Sequence, residues 1–402
     1  MAHYRYLIIG GGMTGDAATQ GIREVDAKGT IGLIGSEPDP PYKRPPLTKG
    51  LWKDKPLDSI WRHTEDRQVD LLLGRRAKTL DVNGNLVVDD RGDSYTYDKL
   101  LLATGGQPRR LPFGEDQIIY YRTLEDYRRL RALAEQCRRF AVIGGGFIGS
   151  EIAAALAMND REVTLIFPGP AISSRLFPPD LSEFLNKFYR EKGIEVLAGE
   201  TITGFERRDE ESVLFTSGNR QVTVDGVVAG VGILPEVELA KQAGLEVEDG
   251  IVVDEFCGTS RPDVYAAGDV ALFLNPAMGR HLRVEHEDNA NTMGRVAGRN
   301  MAGDPTLYHH LPYFYSDLFD LGYEAIGELD PRLEIVPDWQ EKYQKGVIYY
   351  VKDRRVRGVL LWNVWEQVDA ARKLIESKQP FRPQDLQGLL PVAKDLVAAE
   401  QK

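Results

Sequence analysis

The chain has 402 residues, 42% apolar and 28% charged, with 61 acids against 50 bases for a net charge of −11. This length suggests two or three domains and the composition is that of a globular protein, while the acidic balance argues against a chain whose main task is gripping phosphate backbones. Two cysteines, Cys137 and Cys257, exclude a disulfide scaffold and a Cys-rich zinc or iron–sulfur site, and no run reaches the ~18 apolar residues needed to cross a bilayer.

The amino terminus enters a strand pattern at once. It leaves no room for a signal or transit peptide, so the cytoplasm is the expected compartment. The apolar run Tyr6–Ile9 leads into Gly10-Gly11-Gly12-Met13-Thr14-Gly15, an Ala-rich helical stretch and a second strand, Thr30–Ile34. Strand-like pieces follow at Asp70–Leu73, Leu86–Asp89, Ser94–Tyr97 and Leu100–Thr104. An Arg-rich helical connector then reaches residue 140. There the opening pattern recurs: Phe140–Ile143 leads into Gly144-Gly145-Gly146-Phe147-Ile148-Gly149, a helical stretch and the strand Glu162–Phe167, at an offset of 144 − 10 = 134 residues. Such an offset is domain-sized and not a solenoid period. Further strands are expected at Ile194–Leu197, Ser212–Thr216, Val222–Val228, Ile251–Val253 and Asp263–Ala267. From Tyr308 onward, aromatic clusters, hairpin-like strands (Gly346–Lys352, Val356–Leu361) and a helix from Gln367 to Ser377 read as a smaller α+β unit. The tail, Pro380–Lys402, reads as a short helix with a frayed end.

Strand, glycine turn, helix, strand is the βαβ unit that binds dinucleotides. The first glycine of GxGxxG permits the tight turn. The second lets a pyrophosphate approach the backbone, the third allows close helix–strand packing, and the helix amino end attracts the anion. In the first copy Glu37 lies 37 − 15 = 22 residues after Gly15, at the end of the second strand, where a carboxylate accepts from ribose hydroxyls. The second copy has Phe167-Pro168-Gly169 at that place. Neither an acid for a 2′-hydroxyl nor an arginine for a 2′-phosphate stands directly there, and Arg175 is the nearest base. NADH is the expected nucleotide and NADPH stays open. Two more segments suit the first unit. One is a strand ending in Thr104-Gly105-Gly106. The other ends in Gly268-Asp269, whose carboxylate suits a polyhydroxyl chain such as ribityl.

Together these features resemble the two-dinucleotide-binding-domain flavoproteins, the group of glutathione reductase and the ferredoxin reductases. Pro41-Tyr42-Lys43-Arg44-Pro45-Pro46-Leu47-Thr48-Lys49 resembles a segment of oxygenase-coupled ferredoxin reductases and apoptosis-inducing factor. Val284-Glu285-His286-Glu287-Asp288-Asn289-Ala290, Gly294–Gly298, Gly322–Gly327, Gly346–Tyr350 and Leu361-Trp362-Asn363 resemble apoptosis-inducing factor more closely. The resemblance spans about residues 4 to 377. It implies an α/β fold with two Rossmann-like, glutathione-reductase-like domains and a C-terminal α+β domain. The expected bounds are 1–117 with 242–308 for FAD, 118–241 for NAD(P)H and 309–402 for the last domain.

The resemblance further implies hydride transfer from NADH to FAD. Gly10, Gly12, Met13, Thr14, Gly15, Ser36, Glu37, Arg44, Lys49, Ala77, Thr104, Gly105, Arg109, Asp269 and His286 would serve the flavin nucleotide. Gly145, Gly146, Phe147, Ile148, Arg175, Gly232, Glu285, Tyr315, Glu324 and Asn363 would serve the nicotinamide nucleotide. Lys49 and Glu151 match a Lys–Glu pair beside the flavin ring, where a cation stabilises developing negative charge. Phe147 matches an aromatic covering the nicotinamide side. Tyr315 stands where relatives carry a tryptophan. No dithiol lies near the first helix, so electrons would pass directly to an external acceptor: a quinone, a ferredoxin-type protein or oxygen. The alternative is an NADH-responsive sensor like apoptosis-inducing factor, whose dimerisation changes on reduction. A homodimer is expected; a metal site, a membrane span and nucleic-acid binding are not.

Overall fold

The computed structural model describes residues 1–391. Residues 392–402, part of the tail read as a short helix with a frayed end, lie outside the described residues. The chain divides into two compact units, one of residues 1–46, 54–107 and 233–312 and the other of residues 47–53, 108–232 and 313 onward. The divisions thus fall at 107/108, 232/233 and 312/313, and the short segment 47–53 belongs with the second unit.

In the first unit, Ala2–Ile9 runs parallel between Ile31–Gly35 and Ser94–Leu102, with Tyr6 opposite both Ile31 and Lys99. Val69–Leu73 extends one side, Val264–Ala266 also runs parallel to Ser94–Leu102, and Leu86–Asp89 and Ala77–Asp81 complete the sheet antiparallel. The central strands are continuous apolar runs because both faces are covered. One face carries two helices, Met13–Val25 and Glu287–Met301. Their backbones touch: a Cβ on Gly294 would lie 2.4 Å from the Thr14 carbonyl oxygen, and one on Gly298 2.1 Å from that of Ala18. The residues between 94 and 104, expected as two strands, form one, Ser94–Leu102. The polar pair at its middle does not interrupt the ladder, since Asp98 is exposed and Lys99 reaches Asp263 at 2.6 Å.

A buried carboxylate fixes the outer loop of this unit. Asp16, in the first turn of the Met13–Val25 helix, accepts from Arg62 Nε at 2.6 Å, Thr64 Oγ1 at 2.5 Å and Gln20 Nε2 at 3.0 Å, and also from Arg67. A buried charge is tolerated only with such partners. They tie the short 3₁₀ turns between Leu57 and Arg67 to the helix.

The second unit contains a five-stranded parallel sheet in the order Glu195–Ala198, Glu162–Phe167, Arg139–Ile143, Gly226–Ala229, Ile118–Tyr120. An antiparallel trio, Ile202–Arg208, Glu211–Thr216 and Gln221–Val224, belongs to it as well. The expected strand Val222–Val228 is therefore two strands in two sheets. Asp225 makes the break: its carboxylate accepts from the Arg138 and Arg139 amides at 3.1 and 2.8 Å and from the Arg139 guanidinium at 2.5 Å, turning the chain from one sheet to the other. The last part is a five-stranded antiparallel sheet in the order Tyr313–Leu318, Leu321–Gly327, Arg355–Trp362, Lys345–Lys352, Glu334–Glu341, with the helix Val368–Glu376 packed on it. Among the described residues no helix is long and apolar enough to cross a membrane.

Candidate functional site

The two glycine loops have the same construction. A Cβ on Gly10 would lie 2.0 Å from the Ala103 carbonyl oxygen and one on Gly15 2.1 Å from that of Gly10. In the second loop a Cβ on Gly144 would meet the Gly230 oxygen at 2.4 Å and one on Gly149 the Gly144 oxygen at 1.8 Å. The outer glycines are thus required by packing. The middle ones are not: at Gly12 and Gly146 a Cβ would meet nothing within 4 Å. Each middle glycine begins a helix, Met13–Val25 or Phe147–Met158, and neither helix start has a side-chain cap. Two uncapped helix amino ends therefore face open space over a bare backbone, which fits a pyrophosphate in each loop.

Around the first loop, Glu37 follows the strand Ile31–Gly35 and its carboxylate is held in place. Tyr42 donates to one oxygen at 2.5 Å and Arg44 to the other at 2.5 Å. Ser36 beside it is exposed. Met13 and Thr14 open the helix, and Thr14 lies against Gly268, whose left-handed φ of +78° turns the chain into Asp269. The Gly105 carbonyl accepts from the Glu236 amide at 2.9 Å and Thr104 Oγ1 donates to the Glu236 carbonyl at 2.7 Å. Ala77 begins the strand Ala77–Asp81. His286 precedes the helix Glu287–Met301; burial pushes its imidazole down to about 4, against the pull of Asp269 and Asp288, so the ring is neutral at pH 7. Glu285 accepts from Arg283 at 2.6 Å.

The second unit brings Lys49 and Glu151 together. Lys49 Nζ lies 2.7 Å from Glu151 Oε1, with both side chains largely buried, and it sits 5.2 Å from the centroid of the Tyr315 ring. Glu151 comes from the first turns of the Phe147–Met158 helix. Two hydroxyls complete its surroundings: Thr48 Oγ1 donates to Oε2 at 2.5 Å and Ser316 Oγ to Oε1 at 2.5 Å. The carboxylate is thus fixed from two further chain segments. Sequence reading passed over both hydroxyls, although each adjoins a residue it singled out, Lys49 or Tyr315. Phe147 packs edge-on against Phe314 at 5.2 Å, and Ile148 beside it is exposed. This places a charged pair, an aromatic ring and an open helix end on the same helix start.

The remaining expected residues have varied settings. Gly232, at φ +88°, lies against the Arg109 side chain at 3.8 Å. Asn363, itself at φ +49°, accepts from the Gly322 amide at 2.7 Å and donates to the Gln344 carbonyl at 2.8 Å, so its amide links parts of the C-terminal sheet. Arg175 is exposed. Glu324, on Leu321–Gly327, has one carboxylate oxygen buried without a hydrogen-bond partner among the described residues. Burial, with Glu366 adding to it, pushes its carboxyl up to about 7.

A carboxyl raised in the folded state favours folding at low pH, and that advantage is lost as the pH climbs from the ordinary carboxyl range through about 7. Glu324→Gln is therefore expected to match the parent near pH 4.5 and to exceed it by about 1–2 kcal/mol at pH 8, after discounting for solvent screening. Melting curves across this range check it; parallel pH profiles for the two proteins would refute the assignment.

Neither thiol is poised for exchange. Burial and Asp254 push Cys257 up, and burial with Asp225 and Glu210 pushes up Cys137. Among the described residues no group of three or more His, Cys, Asp or Glu is arranged to hold a metal ion. His310, one of two adjacent histidines, pairs with Asp288 at 2.5 Å.

Comparison with known proteins places these features in context. Residues 4–294 match the family described as pyridine nucleotide-disulphide oxidoreductase, and residues 335–377 match the C-terminal region of apoptosis-inducing factor, mitochondrion-associated. Apoptosis-inducing factor 1 of Dictyostelium discoideum is 34% identical over 416 residues, covering 92% of this chain and 78% of that protein. Putidaredoxin reductase of Pseudomonas putida is 30% identical over 413 residues, covering 99% and 98%. A solved structure of the covalent putidaredoxin reductase–putidaredoxin complex superposes with a TM-score of 0.89 at 29% identity, covering 96% of this chain and 95% of that one.

Proposed function

We propose, since this chain belongs to the pyridine nucleotide-disulphide oxidoreductase family, that it carries electrons from a nicotinamide nucleotide through FAD to a ferredoxin-type iron–sulfur protein. The chain is an oxidoreductase that uses FAD and NAD(H). The observation that carries the reading is the duplicated glycine loop with its open middle position, in a protein whose two cysteines are both held as thiols. The residues present fit two pyrophosphates and provide no dithiol relay.

In this reading the amino end of the Met13–Val25 helix holds the FAD pyrophosphate over Gly12. Glu37, already oriented by Tyr42 and Arg44, takes the adenosine ribose hydroxyls, and Asp269 takes the ribityl chain. The amino end of the Phe147–Met158 helix holds the nicotinamide nucleotide over Gly146. FAD, when bound, supplies a ring that accepts a hydride from the nicotinamide and releases electrons one at a time. Lys49, a fixed cation matching the Lys–Glu pair of the resembled flavoproteins, would favour negative charge arising on that ring. Glu151 holds the ammonium in place, and Thr48 and Ser316 hold Glu151. Phe147 covers the approach of the nicotinamide and excludes water.

The putidaredoxin reductase relatives motivate the choice of acceptor. The holoprotein, given excess NADH, is expected to reduce at least one [2Fe–2S] ferredoxin with kcat/KM tenfold above that for quinones or oxygen. A ferredoxin panel that gives no turnover, beside rapid turnover on a quinone, would contradict this. The expected setting is the cytoplasm and the expected assembly a homodimer. A second reading, a sensor that changes its association state on reduction, is favoured by the match of residues 335–377. Light scattering with and without NADH separates the two: a change of mass supports the sensor, and a constant mass the enzyme alone.

A further inference from the structure

The second nucleotide loop departs from the NADH pattern where the adenosine ribose would lie. We propose that this position is built for a 2′-phosphate, so that NADPH serves as a donor alongside NADH; this rests on the reading of the second loop as the nicotinamide-nucleotide site.

The strand Glu162–Phe167 ends beneath the loop: a Cβ on Gly145 would meet the Phe167 ring at 2.6 Å. A residue placed just beyond Phe167 is therefore where an NADH-binding βαβ unit carries its acid, and where an NADPH-binding unit has an arginine nearby. Here that residue is Gly169. It has no side chain and no left-handed φ that would demand a glycine. The nearest atom to its missing Cβ is the Ser174 hydroxyl at 3.0 Å. The strand end thus has a serine hydroxyl beside it and no negative charge of its own.

One acid approaches the same strand end through its backbone. The Glu200 amide donates to the Phe167 carbonyl at 3.1 Å. One carboxylate oxygen pairs with Arg220 at 3.1 Å, and the other is closed off from solvent with no hydrogen-bond partner among the described residues. It does not supply the missing ribose acceptor.

The loop that follows brings a base back. Asn186 clamps it, donating to the Pro170 carbonyl and accepting from the Ile172 amide, both at 3.1 Å. The Ser173 amide then donates to the Gly145 carbonyl at 2.9 Å, which docks this loop on the fingerprint itself. Arg175 follows two residues later. It is exposed and makes no ion pair among the described residues. Its fork of donors is suited to a phosphate and is presented from a loop already fixed in place.

The test uses the flavin-loaded full chain and two probes, ADP-ribose and 2′-phospho-ADP-ribose, titrated calorimetrically at low salt. The 2′-phosphorylated probe is expected to bind at least tenfold tighter. Gly169→Glu should weaken it more than tenfold while leaving ADP-ribose bound at least as tightly, and Arg175→Ala should weaken it by at least tenfold more than it weakens ADP-ribose. In turnover, kcat/KM for NADPH is expected within tenfold of that for NADH. Tight ADP-ribose binding with no gain from the 2′-phosphate would overturn the proposal and leave the site intact. Failure of both probes to bind would overturn the reading of the second loop as well.

Discussion

Lys49→Met is expected to slow flavin reduction by NADH about 10²–10³-fold, the usual loss when one preorganised electrostatic group is removed. FAD should remain bound, because the Gly10–Gly15 loop and Glu37 are untouched. The ammonium is fixed before any substrate arrives, by Glu151 at 2.7 Å and the Tyr315 ring at 5.2 Å. Its contribution therefore needs no reorganisation at the moment of transfer. The variant also leaves Glu151 buried without its cation, which costs about 3 kcal/mol or more. A slow rate from partial unfolding would look the same in a single assay. The double variant Lys49→Met/Glu151→Gln separates the causes: it removes the buried charge and should recover much of the lost melting temperature, yet keep the slow reduction. Stopped-flow absorbance and thermal melts on the same preparations decide it. Full recovery of the rate in the double variant would show that the lysine acts only through folding.

Two substitutions in the second glycine loop should have opposite consequences although each adds apolar atoms to a glycine. Gly149→Ala forces a Cβ to within 1.8 Å of the Gly144 carbonyl oxygen, where only backbone can yield. A loss of about 3 kcal/mol is expected from such overpacking, seen as a fall in melting temperature of roughly 5 °C or more. Gly146→Val adds its side chain where nothing lies within 4 Å. Its melting temperature should stay close to the parent's, and the flavin should remain. The added methyls, however, stand where a pyrophosphate would rest on the helix end, so the KM for NADH should rise at least ~tenfold. An unchanged KM in a folded Gly146→Val protein would remove the nucleotide from this loop.

Much of this architecture is readable from local pattern alone. The duplicated strand–glycine–helix units stand out because packing fixes their outer glycines to the carbonyls of Ala103 and Gly230 and so leaves little freedom in sequence. Glu37 is visible for the same reason, through its spacing from Gly15. The boundaries that sequence misplaced follow from contacts between distant residues. Asp225 splits one apolar run into two strands only because the Arg138 and Arg139 amides and the Arg139 guanidinium converge on it. Conversely, Lys99 lets one strand continue because Asp263, far along the chain, takes up its charge. The surroundings of Glu151 were illegible in the same way. Ser316 is 165 residues away in sequence and no spacing rule links the two. The raised carboxyl of Glu324 likewise depends on burial and on Glu366, farther along the chain.

Hydride transfer from NADH to the bound flavin is read by an anaerobic titration of the flavin-loaded protein with NADH, followed by visible absorbance. About one equivalent is expected to bleach the flavin band, and Lys49→Met to slow this step without abolishing it. A protein that stays yellow under excess NADH and NADPH alike would contradict it.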